Sequence, residues 1–308
     1  MSKISFVIPC YNSEKTISSV IDDIVKTVSN KNEYEIICVD DCSKDNLLGI
    51  LRDCSNNNKN IKVISFSKNF GQHNAILCGF RHVSGDIVVC LDDDGQTDPK
   101  ECYKLINALD DNTDIVFAKY TNIHQNCFRV FGTYINKLMS EWLLGMPKDI
   151  ITNSYFACKR FIIDEVVKYR NPYTFLSGLF FRTTSSVKNV SIKHKNRENG
   201  KSGYTITKLI SLWMNGFTAF SVKPLRFASI VGLIVAFIGF VFGIYQIIMK
   251  FINSARPLGY SSLMCVILFV GGVIMMMLGL IGEYIGRIYI SINNSPQYVI
   301  KEKINIDE

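Results

Sequence analysis

The sequence predicts an α/β fold built on a mostly parallel sheet, followed by an interfacial helix and two transmembrane helices. Three observations carry this expectation. Short β-branched runs alternate with segments of helical apolar spacing as far as Ala118, several of these runs end in polar, acid-bearing segments, and two long uncharged stretches lie towards the carboxyl end.

The first run, Ile4-Ser5-Phe6-Val7-Ile8, reads as a strand. From Glu14 to Thr27 the apolar positions Ile17, Val20, Ile21, Ile24 and, just beyond, Val28 recur with helical spacing. A second strand, Glu35 to Val39, completes a βαβ opening. Strands at Ile61 to Ser65, Ile87 to Leu91 and Asp114 to Ala118 extend the alternation, with helices expected from about Asn69 to His82 and from Pro99 to Leu109. The polar loop Asn56-Asn57-Asn58-Lys59-Asn60 is the one low-complexity tract, and no internal repeat is visible.

Further along, Phe227 to Met249 and Leu258 to Gly282 contain no charged residue. Each meets the roughly 20-residue requirement for a spanning helix. Glycines at 232, 239 and 243 in the first and at 271, 272, 279 and 282 in the second permit close helix approach in lipid. Between Ile206 and Phe220, apolar residues including Trp213 recur at helical spacing, as in an amphipathic helix lying at a membrane interface; a core helix packed on the sheet is the alternative. Pro224 ends that helix before the membrane is entered at Phe227.

Charge sets the expected orientation. Lys193, Lys195, Arg197, Lys201, Lys208, Lys223 and Arg226 precede the first span and Arg287, Lys301 and Lys303 follow the second, whereas the connecting loop holds Lys250 and Arg256. Both termini are therefore expected in the cytoplasm, in a multi-pass protein of the plasma membrane. The opening residues lack the layout of a secretory signal. Ten scattered cysteines without a CxxC pair fit a reducing compartment and neither a zinc site nor a disulfide framework. The formal charge of +7 suits an anionic lipid surface, and without groove-reading or aromatic-rich motifs no nucleic-acid partner is expected.

The most informative motif is Leu91-Asp92-Asp93-Asp94-Gly95-Gln96, three consecutive carboxylates directly after an apolar strand. Like charges this close raise one another's pKa, and a hard divalent cation, Mg²⁺ or Mn²⁺, relieves the repulsion while leaving positions for water and phosphate oxygens. An acidic surface turn is the bland alternative. Pro9-Cys10-Tyr11-Asn12 and Asp40-Asp41-Cys42-Ser43-Lys44-Asp45 also follow strands, which brings them to the same sheet edge, where open α/β folds bind ligands. Neither GxGxxG nor GxxxxGK[ST] occurs, which disfavours a dinucleotide or P-loop site.

Val7 to Glu14, Val39 to Asp45, Lys68-Asn69-Phe70-Gly71-Gln72 and Gly85 through Gln96 together resemble the successive signatures of family-2 glycosyltransferases. With two carboxyl-terminal spans the chain is similar to the polyprenyl-phosphate glycosyltransferases, the group of bactoprenol glucosyltransferases and dolichol-phosphate mannose synthase. The resemblance covers nearly the whole chain. It implies a GT-A fold, Rossmann-like, and inverting transfer of one sugar from a nucleotide diphosphate sugar, UDP-linked by expectation, to undecaprenyl phosphate or a similar polyprenyl phosphate at the cytoplasmic face. It also suggests a homo-oligomer.

By this resemblance Pro9, Tyr11, Asn12 and Glu14 match the loop that contacts the nucleotide, Asp40 matches the acid near the donor base, and Lys68 lies in a donor-binding segment. Asp92 and Asp94 match the DxD pair, with Asp94 expected as the direct metal ligand; Asp93 sits between them among the donor-site acids, and Gln96 matches the polar residue just beyond. Lys119, where the family often has Arg, and Arg129 are expected to neutralise phosphate charge. The run His194 to Tyr204 resembles a basic loop in which Arg197, Lys201, Ser202 and Tyr204 clamp phosphates, Arg197 also counting among the catalytic candidates; a solvated charge run beside lipid is the alternative. The family often carries a Gly-Asp-Phe-Arg-like segment with a candidate base. Here the corresponding stretch is Thr152-Asn153-Ser154-Tyr155-Phe156, which leaves the base unassigned.

The expected organisation is a cytoplasmic catalytic domain over residues 1–205, an amphipathic interfacial helix over 206–225, a two-helix membrane region over 226–290 and a tail over 291–308. A processive polysaccharide synthase and a noncatalytic membrane protein that binds nucleotide sugar or lipid phosphate are the other readings. Two spans are too few for a translocation channel within one chain, and intact metal-ligand acids weigh against a noncatalytic role.

Overall fold

The computed structural model describes residues 2–121, 140–142, 145–148, 150–193, 223–252 and 259–306. They belong to two compact units, one containing the amino-terminal portion and residues 295–306, the other the long apolar helices.

The first unit is a mixed sheet of eight strands with the spatial order β7-β5-β6-β4-β1-β2-β3-β8. In chain order its elements are β1 (Ile4–Cys10), α1 (Ile17–Val28), β2 (Tyr34–Asp40), α2 (Leu47–Asn57), β3 (Ile61–Phe66), α3 (Gln72–Phe80) and β4 (Ile87–Cys90). A 3₁₀ turn (Pro99–Glu101) then leads into α4 (Cys102–Ile106), β5 (Ile115–Thr121), β6 (Phe156–Lys159), α5 (Arg160–Val166), α6 (Leu176–Thr183) and β7 (Val187–Lys193). The last strand, β8 (Ile300–Ile304), comes after the apolar helices. β1 pairs in parallel with β2 and β4, β2 with β3, and β5 with β7, while β6 and β8 run against their neighbours.

The central strands are buried on both faces, as unbroken Val, Ile and Phe runs require. α1 inserts the stripe Ile17, Val20, Ile21, Ile24 and Val28 into the core, the five positions whose spacing predicts the helix. On α3, Gly79 lets the helix lie against β1, since a Cβ there would come within 2.4 Å of Val7 Cγ1. Pro9 is tolerated in central strand β1 because of its position. The Val7 carbonyl accepts from Leu91 N–H, so the N–H of residue 9 would face the β4 side, beyond the last β1–β4 pair, Val7 with Cys90.

Several elements are not anticipated by the sequence reading. α2, β6, α5, α6 and β7 fall where no periodic pattern was singled out, and residues 291–308, expected as a tail, contain β8. The helix expected over Pro99 to Leu109 is a 3₁₀ turn followed by a short α-helix. The helix near residue 70 starts at Gln72, because Gly71 has a non-helical φ of 89°, and Asp41 accepts the Phe70 and Gly71 N–H groups just before it.

At the opposite end of the sheet from the acidic motif, Glu35 is almost fully buried and accepts from Ser5 Oγ at 2.5 Å, Lys62 Nζ at 2.7 Å and Ser84 N at 2.5 Å. Burial alone would push its carboxyl up, but the Lys62 ammonium, the Ser5 hydroxyl and the Ser84 N–H outweigh that and lower it to about 2.

The second unit contains α7 (Lys223–Ile252) and α8 (Tyr260–Ile292). Lys223–Tyr245 and Phe269–Ile292 are long and apolar enough to cross a membrane, with mean hydropathies of 2.6 and 1.7. Leu233, Phe237 and Phe240 on α7 and Met275, Met276 and Leu278 on α8 are exposed, which suits hydrocarbon and not water. Met277 approaches Gly232, where a Cβ would come within 2.7 Å of its terminal carbon.

Candidate functional site

The carboxyl ends of β1, β2, β3 and β4 deliver four loops to one edge of the sheet, and hydrogen bonds stitch these loops together. Between the first two loops, Asn12 N–H donates to Ser43 Oγ at 3.0 Å and Lys44 N–H to Asn12 Oδ1 at 2.9 Å. Glu14 N–H donates to Asp45 Oδ2 at 3.0 Å, and Glu14 Oε2 accepts from Asn46 N–H at 2.9 Å. Asn12 and Cys42 adopt left-handed backbone with φ of 53° and 59°, a conformation that suits Asn and turns each loop sharply off its strand.

Asp40 is buried, with Oδ1 accepting from Ser43 N–H and Oδ2 from Ser65 Oγ, both at 2.9 Å. Its neighbour Asp41 faces the third loop and takes the N–H groups of Phe70 at 2.6 Å and Gly71 at 2.8 Å. Burial is the largest influence on the Asp41 carboxyl and raises its pKa against these hydrogen bonds. Lys68, in the loop so held, is exposed with its ammonium 5.0 Å from the Phe70 ring centroid.

The fourth loop carries the acids, and its three carboxylates have different surroundings. Asp93 accepts Tyr11 N–H at 2.9 Å, while its backbone carbonyl accepts Thr16 Oγ1 at 2.6 Å, so this residue ties the motif to the first loop. Asp94 Oδ1 accepts Gln96 N–H at 3.0 Å across a turn whose middle residue, Gly95, has φ of 71°. Asp92 is gripped from two directions, Oδ1 by Gln72 Nε2 at 2.8 Å and Oδ2 by Ser154 Oγ. Burial, then the charges of Asp94 and Asp93, push the Asp92 carboxyl up to about 6 against the Ser154 and Gln72 hydrogen bonds. Asp93 is raised too, chiefly by burial.

This donor set fits a hard divalent cation. Two carboxylates two residues apart, on a turn that already crowds negative charge, match the preference of Mg²⁺ and Mn²⁺ for oxygen ligands. Among the described residues no group of three or more His, Cys, Asp or Glu side chains forms a metal-binding cluster. A hard cation bound by one or two carboxylates takes water and phosphate oxygens as further ligands.

Pro9 and Asp40, at the ends of β1 and β2, and Tyr11, Asn12, Glu14, Lys68, Asp92, Asp93, Asp94 and Gln96, in the loops beyond the strands, are thus brought to one sheet edge. Lys119 is exposed on β5. Arg129, Arg197, Lys201, Ser202 and Tyr204 lie outside the described residues, as does the stretch from 206 to 222 expected to be interfacial helix. Gln72, Ser154 and Asp41 fall within motifs read from the sequence, which assigns none of them a role of its own. Ser154 and Gln72 are 62 and 20 residues from Asp92, so no local spacing signals either pairing.

Residues 5–167 match the family model described as glycosyl transferase family 2, and residues 223–288 match the one described as GtrB C-terminal hairpin. The chain is 31% identical to an undecaprenyl-phosphate 4-deoxy-4-formamido-L-arabinose transferase of Proteus mirabilis, over 99% of this chain and 95% of that protein. It is 30% identical to the transferase of the same name from Yersinia pestis, over 100% and 95% respectively. Among solved structures, glucosyl-3-phosphoglycerate synthase from Mycobacterium tuberculosis with phosphoglyceric acid superposes with a TM-score of 0.54 at 20% identity, covering 71% of this chain and 79% of that one. The same enzyme with Mn²⁺, uridine diphosphate and phosphoglyceric acid gives 0.53 at 20% identity, covering 70% and 76%. These two likenesses show the GT-A fold. By its matched domain and its full-length relatives, the chain belongs to glycosyl transferase family 2.

Proposed function

We propose that this glycosyltransferase moves one sugar from a UDP-linked donor to undecaprenyl phosphate or a similar polyprenyl phosphate, with inversion, at the cytoplasmic face of the plasma membrane. The observation that carries the reading is a family-2 domain followed by a matched GtrB C-terminal hairpin, in a chain similar along nearly its whole length to relatives named for undecaprenyl-phosphate sugar transfer.

The nucleoside end of the donor is assigned to the stitched first and second loops, where Tyr11 is 45% exposed and offers a ring face beside Pro9, Asn12 and Glu14. Asp40, fully engaged with Ser43 and Ser65, shapes the floor of that subsite. Lys68 meets the diphosphate from the third loop, and Gln96 stands beside Asp94 for the acceptor phosphate or the metal's water shell. A divalent cation on Asp94 and Asp92, when bound, supplies Lewis-acid stabilisation of the departing diphosphate. Lys119, Arg129, Arg197, Lys201, Ser202 and Tyr204 are assigned to phosphate charge, the last four from the segment just before the hairpin. The acceptor phosphate, with a second pKa near about 6, is largely dianionic at neutral pH, and no side-chain base is needed to activate it.

The basic residues flanking the hairpin favour the cytoplasmic side, and connectivity supports placing both flanks on one side. The chain leaves the sheet unit before α7 and rejoins it as β8, which pairs with β3, so two crossings return it to the side it left. We assign the catalytic unit to residues 1–205 and the strand after the hairpin, an interfacial segment to 206–222 and the spans to α7 and α8, which begin before and end after the expected 226–290.

The test is to incubate the purified full chain in detergent with undecaprenyl phosphate, Mg²⁺ or Mn²⁺ and a panel of nucleotide sugars. Lipid-linked sugar detected by mass spectrometry supports the reading and names the sugar. Nucleotide-sugar binding without turnover across the panel supports a noncatalytic role instead.

A further inference from the structure

We infer that Ser154 and Gln72 are positioning residues that hold the Asp92 carboxylate, from two sides, in the orientation required to bind the metal–nucleotide diphosphate complex. The inference rests on the proposed function of this site and extends it to residues outside the acidic motif.

Each of the two donors is itself anchored. Ser154 immediately precedes Tyr155, whose side chain is buried with its hydroxyl donating to the Asp98 carbonyl at 3.3 Å. Three residues before Ser154, Ile151 exchanges two hydrogen bonds of 2.8 Å with the side-chain amide of Asn189 on β7. The Ser154 hydroxyl is therefore delivered by a segment braced at both ends. Gln72 is the first residue of α3, and Asp41 fixes the backbone just before it through the Phe70 and Gly71 N–H groups. α3 itself is seated on β1 at Gly79.

Asp92 thus has one oxygen tied to the first residue of α3 and the other to the segment before β6. Two such bonds stop rotation of the carboxylate about its terminal torsion. Each oxygen still has acceptor capacity, now pointing in a set direction. A hard cation with near-octahedral geometry tolerates little error in ligand direction, and losing a partner that orients a ligand typically costs about 10–100-fold in metal affinity. Within the stretch Thr152 to Phe156, where the resemblance leads one to expect an acid, this chain offers the Ser154 hydroxyl, a neutral donor that grips Asp92 without adding charge to a site already crowded with carboxylates.

Binding without turnover tests the inference. Mn²⁺ affinity in the presence of UDP is measured on the full chain in detergent by electron paramagnetic resonance, together with thermal unfolding, for wild type, Ser154→Ala, Ser154→Thr and Gln72→Ala. The expected result is roughly 10-fold or greater loss of Mn²⁺ affinity in each Ala variant at unchanged melting temperature, with Ser154→Thr close to wild type. Should Ser154→Ala misfold, the Gln72→Ala variant on the exposed side carries the test. Wild-type affinity in a folded Ala variant of either residue overturns the inference and leaves the proposed function standing. Failure of the wild type to bind Mn²⁺ with UDP overturns both.

Discussion

Asp92, Asp93 and Asp94 are adjacent in sequence, yet one is clamped by Gln72 and Ser154, one is tied to the Tyr11 loop, and one forms a turn with Gln96. Chemistry at this edge is therefore divided among three carboxylates by their partners. Asp94→Ala is expected to lower transfer by about 10²–10³-fold, the scale of losing one electrostatic stabiliser of developing charge, with folding unaffected; turnover and thermal unfolding check it together. Glu35 predicts an effect of a different kind. Its folded-state carboxyl is held at about 2, below its ordinary value of 4.5, so its stabilising contribution is complete above pH 4.5 and is lost as pH falls through about 2. Glu35→Gln should cost about 2 kcal/mol at neutral pH and flatten the acid side of the stability profile, measured by denaturant unfolding. The acids and first-loop residues were legible because strand ends in an α/β sheet converge. The partners of Asp92 were not, because that contact is written in tertiary packing alone.

Among the elements, β8 shows best what periodicity misses. Ile300-Lys301-Glu302-Lys303-Ile304 is short and charge-rich, and its apolar ends give little sign of a strand. It nonetheless pairs antiparallel with β3, and the residues before it are anchored firmly. Tyr298 stacks on Phe66 with centroids 5.1 Å apart and accepts from Arg81 Nη1 at 2.6 Å, while Gln297 accepts from Arg81 Nη2 at 2.6 Å. Ser67 N–H donates to the Val299 carbonyl at 2.9 Å, directly before Lys68. The strand after the hairpin thus continues the sheet up to the start of the loop assigned to the donor. Tyr298→Ala should destabilise the folded protein by about 2 kcal/mol and raise KM for the donor more than it lowers kcat, as steady-state kinetics would show. α1 was legible in full because its five core positions repeat at helical spacing. α2 buries little beyond Leu47, Leu51 and Ser55 and runs into a tract of Asn, so its pattern is faint.

For the whole molecule, the sheet unit takes in chain from both sides of the hairpin, so the two crossings proposed for α7 and α8 would put both flanks on one side of the bilayer. A tag at the amino terminus and one at the carboxyl terminus should be cleaved by protease from the same side of sealed vesicles, and a tag between residues 252 and 260 from the other. The apolar stretches and the bias of basic residues made the hairpin readable in the sequence; its return into the sheet was not. The central claim, sugar transfer to a polyprenyl phosphate, is tested most directly by the appearance of lipid-linked sugar when the full chain meets undecaprenyl phosphate, a divalent cation and UDP-linked sugars. The account predicts one sugar-phosphate lipid product that requires the cation and falls about 10²–10³-fold with Asp94→Ala. Full transfer by the folded Asp94→Ala variant, or no product from any donor by a chain that binds Mn²⁺ and UDP, would contradict it.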